Sequence, residues 1–211
     1  MFDTLKTQIL SLKSQSKEAL AASLETFSQG GIILFPTESV YGLAVDSRSP
    51  SGIEQLYELK GRPKEKPFQW LVSDMLMIRS QSTIWNEDIE KLATTFWPGP
   101  LTLVLPSIDG ATVGWRIPKH DWLLGLLKVL GHPLIATSAN LSGQPALKEF
   151  KAALQPFQDH INLALDGGAI ESGIPSTVVK WQPEGFKILR EGTISQKNLD
   201  QVLRGARTKG D

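Results

Sequence analysis

Apolar residues along this chain recur with two periods, and each period predicts a different element. Trp122, Leu123, Leu126, Leu127 and Leu130 fall on one face of a helix over 121–130. Glu87 to Phe96 reads as another helix, stopped by Trp97-Pro98-Gly99-Pro100. Good helix formers without proline run from Asp3 to Ser28 and end at Gly30-Gly31, which predicts one long N-terminal helix. Its first part, residues 1–16, would be a helical extension ahead of a core spanning about 17–205. Ser51 to Leu59 is helical, capped from Ser49 or Ser51 and ended by Gly61, and Gln196 to Arg204 is the last helix. Between them lie short apolar runs that read as strands: 32–35, 68–72, 101–105, 113–117, 134–137, 163–165, 177–181 and 186–189. Strands and helices alternate early, and strands crowd together late. We therefore expect one mixed α/β (α+β) domain over 1–211 with a twisted sheet, undivided by repeat or linker.

Several of those strands open into polar stretches, where ligands of open α/β sheets commonly sit. After 32–35 comes Pro36-Thr37-Glu38-Ser39-Val40-Tyr41-Gly42. It reads either as a turn closed by Pro36 or as a contact loop offering Thr37, Glu38 and Tyr41. After 134–137 come Ser138, Asn140 and Ser142, with Gly143 and Pro145 behind them. Short hydroxyls and amides can serve a turn's own hydrogen bonds or be held out for a ligand. Lys60-Gly-Arg62-Pro-Lys64-Glu-Lys66-Pro67 cannot continue a helix, and in an extended segment its four cations would share one face. Like charges so placed repel unless an anion sits among them, and a di- or triphosphate would serve. The bland alternative is a solvated basic loop. Arg116 in the strand at 113–117, Ser176 before the strand at 177–181 and Arg190 after 186–189 repeat the theme of hydroxyls and cations at strand termini.

Composition narrows the chemistry. There are 22 Lys plus Arg against 22 Asp plus Glu, so a general electrostatic grip on nucleic acid is disfavoured. No cysteine is present, which excludes disulfides and thiol catalysis. The three histidines lack metal-ligand spacing, and neither a Gly-x-x-x-x-Gly-Lys-Ser/Thr loop nor a Gly-x-Gly-x-x-Gly turn occurs. A bound nucleotide would have to be held by side-chain cations. No apolar stretch approaches a bilayer span and no secretory leader is visible, so a soluble, cytoplasmic protein is expected.

Taken in order, GGIILFPTESVYGLA, LKGRPKEKPF, FWPGPLTLVLP, VGWRIP, ATSANLSGQP, STVV and ILREG resemble the YrdC/TsaC family, the threonylcarbamoyl-AMP synthases. Each piece alone is unspecific; the ordered set, above all Lys60-x-Arg62 with Ser138-x-Asn140, is specific. The resemblance implies a twisted, mixed open sheet with flanking helices around a large concave cavity; longer relatives carry an additional C-terminal domain, which is not expected here. It implies that L-threonine, bicarbonate (or CO2) and ATP give threonylcarbamoyl-AMP, pyrophosphate and water. A downstream threonylcarbamoyl transferase complex (TsaD-type) then modifies adenosine 37 of tRNA. By the same resemblance, Lys60, Arg62, Ser138 and Asn140 form the catalytic set. Thr37, Arg116 and Ser176 hold threonine, while Lys60, Arg62, Lys66, Ser138, Asn140 and Arg190 hold the nucleotide. Magnesium is expected to accompany ATP without a dedicated protein site. The chain departs from the family at Trp70-Leu71, where many members have a histidine, and at Ala146-Leu147-Lys148, where many have a threonine. Two other readings follow: a noncatalytic module binding tRNA or double-stranded RNA in the same basic cavity, and a paralogue using another amino acid.

Overall fold

The computed structural model describes residues 6–141 and 143–204. Ten strands form one sheet in the order β1-β8-β2-β3-β7-β4-β6-β5-β9-β10. In chain order they are β1 (Gln8–Ser11), β2 (Ile33–Pro36), β3 (Tyr41–Asp46), β4 (Gln69–Leu71), β5 (Leu101–Pro106), β6 (Thr112–Arg116), β7 (Leu134–Ser138), β8 (Leu163–Asp166), β9 (Thr177–Gln182) and β10 (Gly185–Arg190). Parallel pairs (β1–β8, β2–β8, β4–β6, β5–β9) mix with antiparallel ones. Seven helices flank the sheet among the described residues: α1 (Ser16–Ser28), α2 (Pro50–Lys60), α3 (Met75–Gln81), α4 (Glu87–Phe96), α5 (Asp121–Leu130), α6 (Phe150–Leu154) and α7 (Gln196–Arg204).

Local chemistry explains the helix ends that matter for the site. Ser49 caps α2 by accepting from the Gly52 amide, and Pro50 occupies its first turn, where no amide partner is lost. Gly61 then ends α2 in the left-handed region, with φ 55°, so Lys60 is the last helical residue and Arg62 the first beyond the reversal. The expected extended run from Lys60 to Lys66 is therefore broken. Residues 64–66 form a turn, and Lys64 pairs with Glu54 on the exposed side.

The N-terminal expectation also changes. Residues 8–11 are not helix but edge strand β1, paired in parallel with β8, and the helix begins only at Ser16. The alternation of buried Leu10 with exposed Ile9 satisfies a sheet edge better than a helix face. The part of the expected helix at residues 1–5, and the core boundary at 205, lie outside the described residues.

The two faces of the sheet are covered unequally, and this creates the site. On one face Leu34, Tyr41, Leu43, Val45 and Ile135 pack with α2 and α6 residues such as Leu56 and Leu154. Beside them Leu101, Leu103, Leu105, Val113, Trp115 and Val179 pack under α3, α4 and α7. On the opposite face Ile33, Phe35, Ala44, Leu71, Leu134 and Ala136 meet α1 and α5. Those two helices cover only one end, and the remainder of that face carries small or polar residues and stays open.

Candidate active site

The uncovered face floors a cavity of about 420 Å³. Period-2 alternation selects its floor: Gly42, Ser138, Gln69, Gly114, Thr102, Val104 and Val178 all line it, while their bulky neighbours point to the opposite core. Gly114 leaves the centre of the floor open, since a Cβ there would lie 3.3 Å from the Thr102 methyl. Arg62 and Lys66 from one loop, with Arg116, Lys180 and Arg190, reach the cavity, and among the described residues Glu65 is the acidic residue in its lining.

Of the residues expected at the site, Thr37, Arg62, Lys66, Arg116, Ser138, Ser176 and Arg190 line this one cavity. Lys60 and Asn140 do not. Lys60 is buried, and its ammonium donates to the Ser138 carbonyl at 2.8 Å and to the Asn140 carbonyl. Among the described residues no carboxylate pairs with it. Burial, followed by the neighbouring Arg62 charge, pushes its pKa down to about 8. The Asn140 amide donates to the Leu141 and Gln144 carbonyls, so it ties the turn after β7 together. The hydroxyl-rich stretch thus divides: Asn140 holds the turn, and Ser138 faces the cavity. Ser142 lies outside the described residues.

Thr37 likewise serves its own turn. Its hydroxyl donates to the Val40 carbonyl and accepts from the Ser39 and Val40 amides. This rigid loop presents Glu38 and Ser39 to Arg116. The Arg116 guanidinium donates to Glu38 at 2.7 Å, to the Ser39 hydroxyl at 2.8 Å and, through Nε, to the Gly99 carbonyl at 3.3 Å. Arg116 is only 2% exposed, and Glu38 neutralises it, while the second Glu38 oxygen is buried without a partner.

Arg190 donates to the Ser176 carbonyl and hydroxyl, the Ser176 hydroxyl meets Thr102, and Thr102 donates to Gln69. This chain spans four segments of the floor and wall. Gln69, Thr102, Ser39 and Lys180 belong to no recognisable binding motif, and Glu38 is offered only by the loop after Pro36. The signal for Thr102 and Gln69 was present, as polar residues alternating with large apolar ones in Leu101-Thr-Leu-Val-Leu105 and Phe68-Gln-Trp-Leu71. Arg190 has its pKa lowered by burial, then by the charges of Arg116 and Arg62, and burial also lowers that of Arg62. Both guanidinium groups remain protonated at any working pH. At Arg190 the charges of Arg116 and Arg62 add to the cost of burial, and an anion placed among them would offset it.

The Trp70-Leu71 departure also divides. Trp70 lies on the opposite face, edge-on to Trp115 with ring centroids 5.3 Å apart, whereas Leu71 lines the cavity beside Arg116 in the parallel register. The loop carrying Ser176 depends on Gly192, where an added Cβ would lie 2.1 Å from the Pro175 carbonyl oxygen. Gly192→Ala is expected to cost about 1–3 kcal/mol, as overpacking does, measured by urea unfolding. Stability equal to that of the parent would show that the loop yields freely.

An open mixed sheet with one face left uncovered over a cation-lined cavity defines a class of fold. The family model described as Telomere recombination (Sua5_yciO_yrdC) matches residues 25–192. The chain belongs to that Sua5/YciO/YrdC family. It is 33% identical over 187 residues to the threonylcarbamoyl-AMP synthase of Pyrococcus abyssi, covering 83% of this chain and 54% of that protein. It is 34% identical to the Mus musculus threonylcarbamoyl-AMP synthase, covering 89% of this chain and 71% of the mouse protein. The crystal structure of P. abyssi Sua5 complexed with L-threonine superposes with TM-score 0.85 at 29% identity, covering 93% of this chain and 60% of that one. The chain thus spans about half the length of the archaeal curated relative. Among the described residues, no helix is long and apolar enough to cross a membrane.

Proposed function

We propose that this protein is a transferase that makes threonylcarbamoyl-AMP and pyrophosphate from L-threonine, bicarbonate and ATP, as a step toward tRNA modification. One observation carries the reading: a single cavity gathers one arginine beside a neutralising glutamate and a separate set of cations that, among the described residues, have no carboxylate partners. Such a cavity suits a zwitterion next to a polyphosphate. The P. abyssi and mouse relatives, both named threonylcarbamoyl-AMP synthase, support it.

In this reading Arg116 receives the threonine carboxylate, with Thr37 and Ser176 shaping the surroundings. Arg62, Lys66 and Arg190 take phosphate oxygens, and Ser138 lies between the two ligands. Bicarbonate takes up a proton to give CO2 and water, and the neutral threonine amine adds to the CO2, releasing a proton to solvent as the carbamate forms. A carbamate oxygen then bonds to the α-phosphorus as the bond from that phosphorus to the β-phosphate oxygen breaks, and pyrophosphate leaves with the electron pair. The protein supplies proximity and charge neutralisation, and no side chain has to move a proton in the displacement step. Among the described residues no group of three or more acidic or histidine side chains could hold a metal. Magnesium would arrive on the triphosphate, supplying further charge neutralisation there.

The test is mass spectrometry of a mixture of protein, ATP, L-threonine and labelled bicarbonate with magnesium. The expected product is the adenylate carrying the label, with one pyrophosphate for each. Pyrophosphate released without threonine, or none at all, would contradict the proposal. Replacing Arg62 by Ala should raise the ATP KM roughly ten- to a hundredfold, the range for losing a charged hydrogen bond, with the threonine KM little changed. Equal rises in both would show that Arg62 does not act on the nucleotide alone. Leu71 in the cavity wall bears on which amino acid is used. A thermal-shift panel of amino acids with ATP present should give its largest shift with threonine, and a larger shift with another amino acid would reassign the substrate.

A further inference from the structure

The sheet face that floors the cavity continues past the residues that line it. Ala136, Gln69, Gly114, Val104, Lys180 and Lys187 are successive register partners across β7, β4, β6, β5, β9 and β10. Register partners leave the same face of a sheet, one strand (~4.8 Å) apart. The first five of this row line the cavity, and Lys187 stands one strand further out, exposed. Lys180 and Lys187 are directly opposed in an antiparallel pair. Like charges so placed destabilise the pairing, and neither lysine has a carboxylate partner among the described residues, whereas Lys64, Arg79 and Lys91 do. Arg190 follows Lys187 on β10 past a bulge, opposite the cavity-lining Val178.

We propose that Lys180 and Lys187 form an anion subsite at the β9–β10 end of the cavity that takes a terminal diphosphate. It would hold the β- and γ-phosphates of bound ATP, then pyrophosphate once the bond to the α-phosphate is broken. The proposal rests on the nucleotide reading of the cavity. Three features select a small polyphosphate over a nucleic-acid backbone. The subsite is continuous with the cavity floor, it consists of a pair of ammonium groups instead of a basic stripe, and the chain as a whole has no net charge. Lysine also suits a departing group. Its ammonium is a mobile point charge, whereas the arginines deeper in the cavity offer fixed, planar donors.

The experiment is calorimetric titration of inorganic pyrophosphate, and separately of AMP, into the parent protein, Lys180→Gln, Lys187→Gln and the double variant. Removing a charged hydrogen bond is worth about ten- to a hundredfold, and mobile, partly exposed ammonium groups fall at the low end, so each substitution should weaken pyrophosphate about tenfold and leave AMP unchanged. Three results would overturn the proposal: no pyrophosphate binding by the parent, pyrophosphate affinity unchanged in the double variant, or equal losses for AMP and pyrophosphate. A fourth arm measures tRNA in a gel-shift assay. A double variant that loses tRNA while keeping pyrophosphate would make this a nucleic-acid surface, again overturning the proposal. The titrations need neither threonine nor turnover, so they can succeed even where no adenylate is formed. The two readings can thus fail separately.

Discussion

Arg116→Ala should raise the threonine KM about a hundredfold or more and also destabilise the fold by about 3 kcal/mol. Both effects follow from one geometry. Arg116 is almost wholly buried and donates to Glu38, Ser39 and the Gly99 carbonyl. Breaking a buried ion pair by removing one partner costs about 3–5 kcal/mol, because the other charge is left without compensation. Here Glu38 is about a fifth exposed, which places the cost at the low end of that range. Its second oxygen is already without a partner, so it has no alternative donor. The threonine carboxylate would meanwhile lose its cationic partner. A double variant, Arg116→Ala with Glu38→Ala, separates the two effects: stability should largely return while threonine binding stays lost. If threonine affinity returned with stability, Arg116 would be a structural residue only. Urea unfolding and steady-state kinetics make both measurements.

Lys60→Ala should lower kcat by about a hundredfold or more, although its ammonium does not line the cavity. Lys60 acts as a positioning residue: it gathers the carbonyls of Ser138 and Asn140 and so fixes the exit from β7. Without it two buried acceptors lose their donor, at about 1–3 kcal/mol each. Opposing this is the relief of a buried charge. Its pKa falls from the ordinary 10.5 to about 8 through burial, then Arg62, which corresponds to about 3 kcal/mol. The two nearly offset, so Lys60→Ala should change global stability little while loosening the exit from β7 at Ser138–Asn140. The sign of the pH dependence follows. Between pH 8 and 10.5 the unfolded chain binds more protons at this position than the folded one, so this group alone makes stability rise with pH in that window. Tyr41, with its pKa raised to about 12 by burial, opposes it above pH 10. The kinetic mark is an alkaline fall in kcat/KM for ATP with a midpoint about 8, as the ammonium beside Arg62 loses its proton. Lys60→Met should lack that limb. A limb unchanged in Lys60→Met would assign the titration to another group.

Much of the architecture was legible because apolar period and breakers agreed. The helices at 87–96, 121–130 and 196–204 form with the expected bounds, and the eight expected strands all form. Strand β3 was hidden in the motif after Pro36: its six residues are buried on both faces and include Gly42, so it lacks alternation. Short α3 and α6 carry too few turns for a helical period to emerge. The site was legible as a set of residue types at strand ends, and seven of the nine expected residues do share one cavity. What the linear sequence could not carry was direction. Lys60 and Arg62 are two residues apart, yet the left-handed turn at Gly61 sends one to backbone carbonyls and the other to the cavity. Arg116 and Glu38 are 78 residues apart, and only folding makes them a pair.

A crystal grown with L-threonine and a nonhydrolysable ATP analogue tests the shared cavity most directly. The expected electron density places the amino-acid carboxylate on Arg116 and the phosphates on Arg62 and Arg190, within one continuous ligand volume. Phosphates bound outside the cavity, or an amino acid seated away from Arg116, would contradict it.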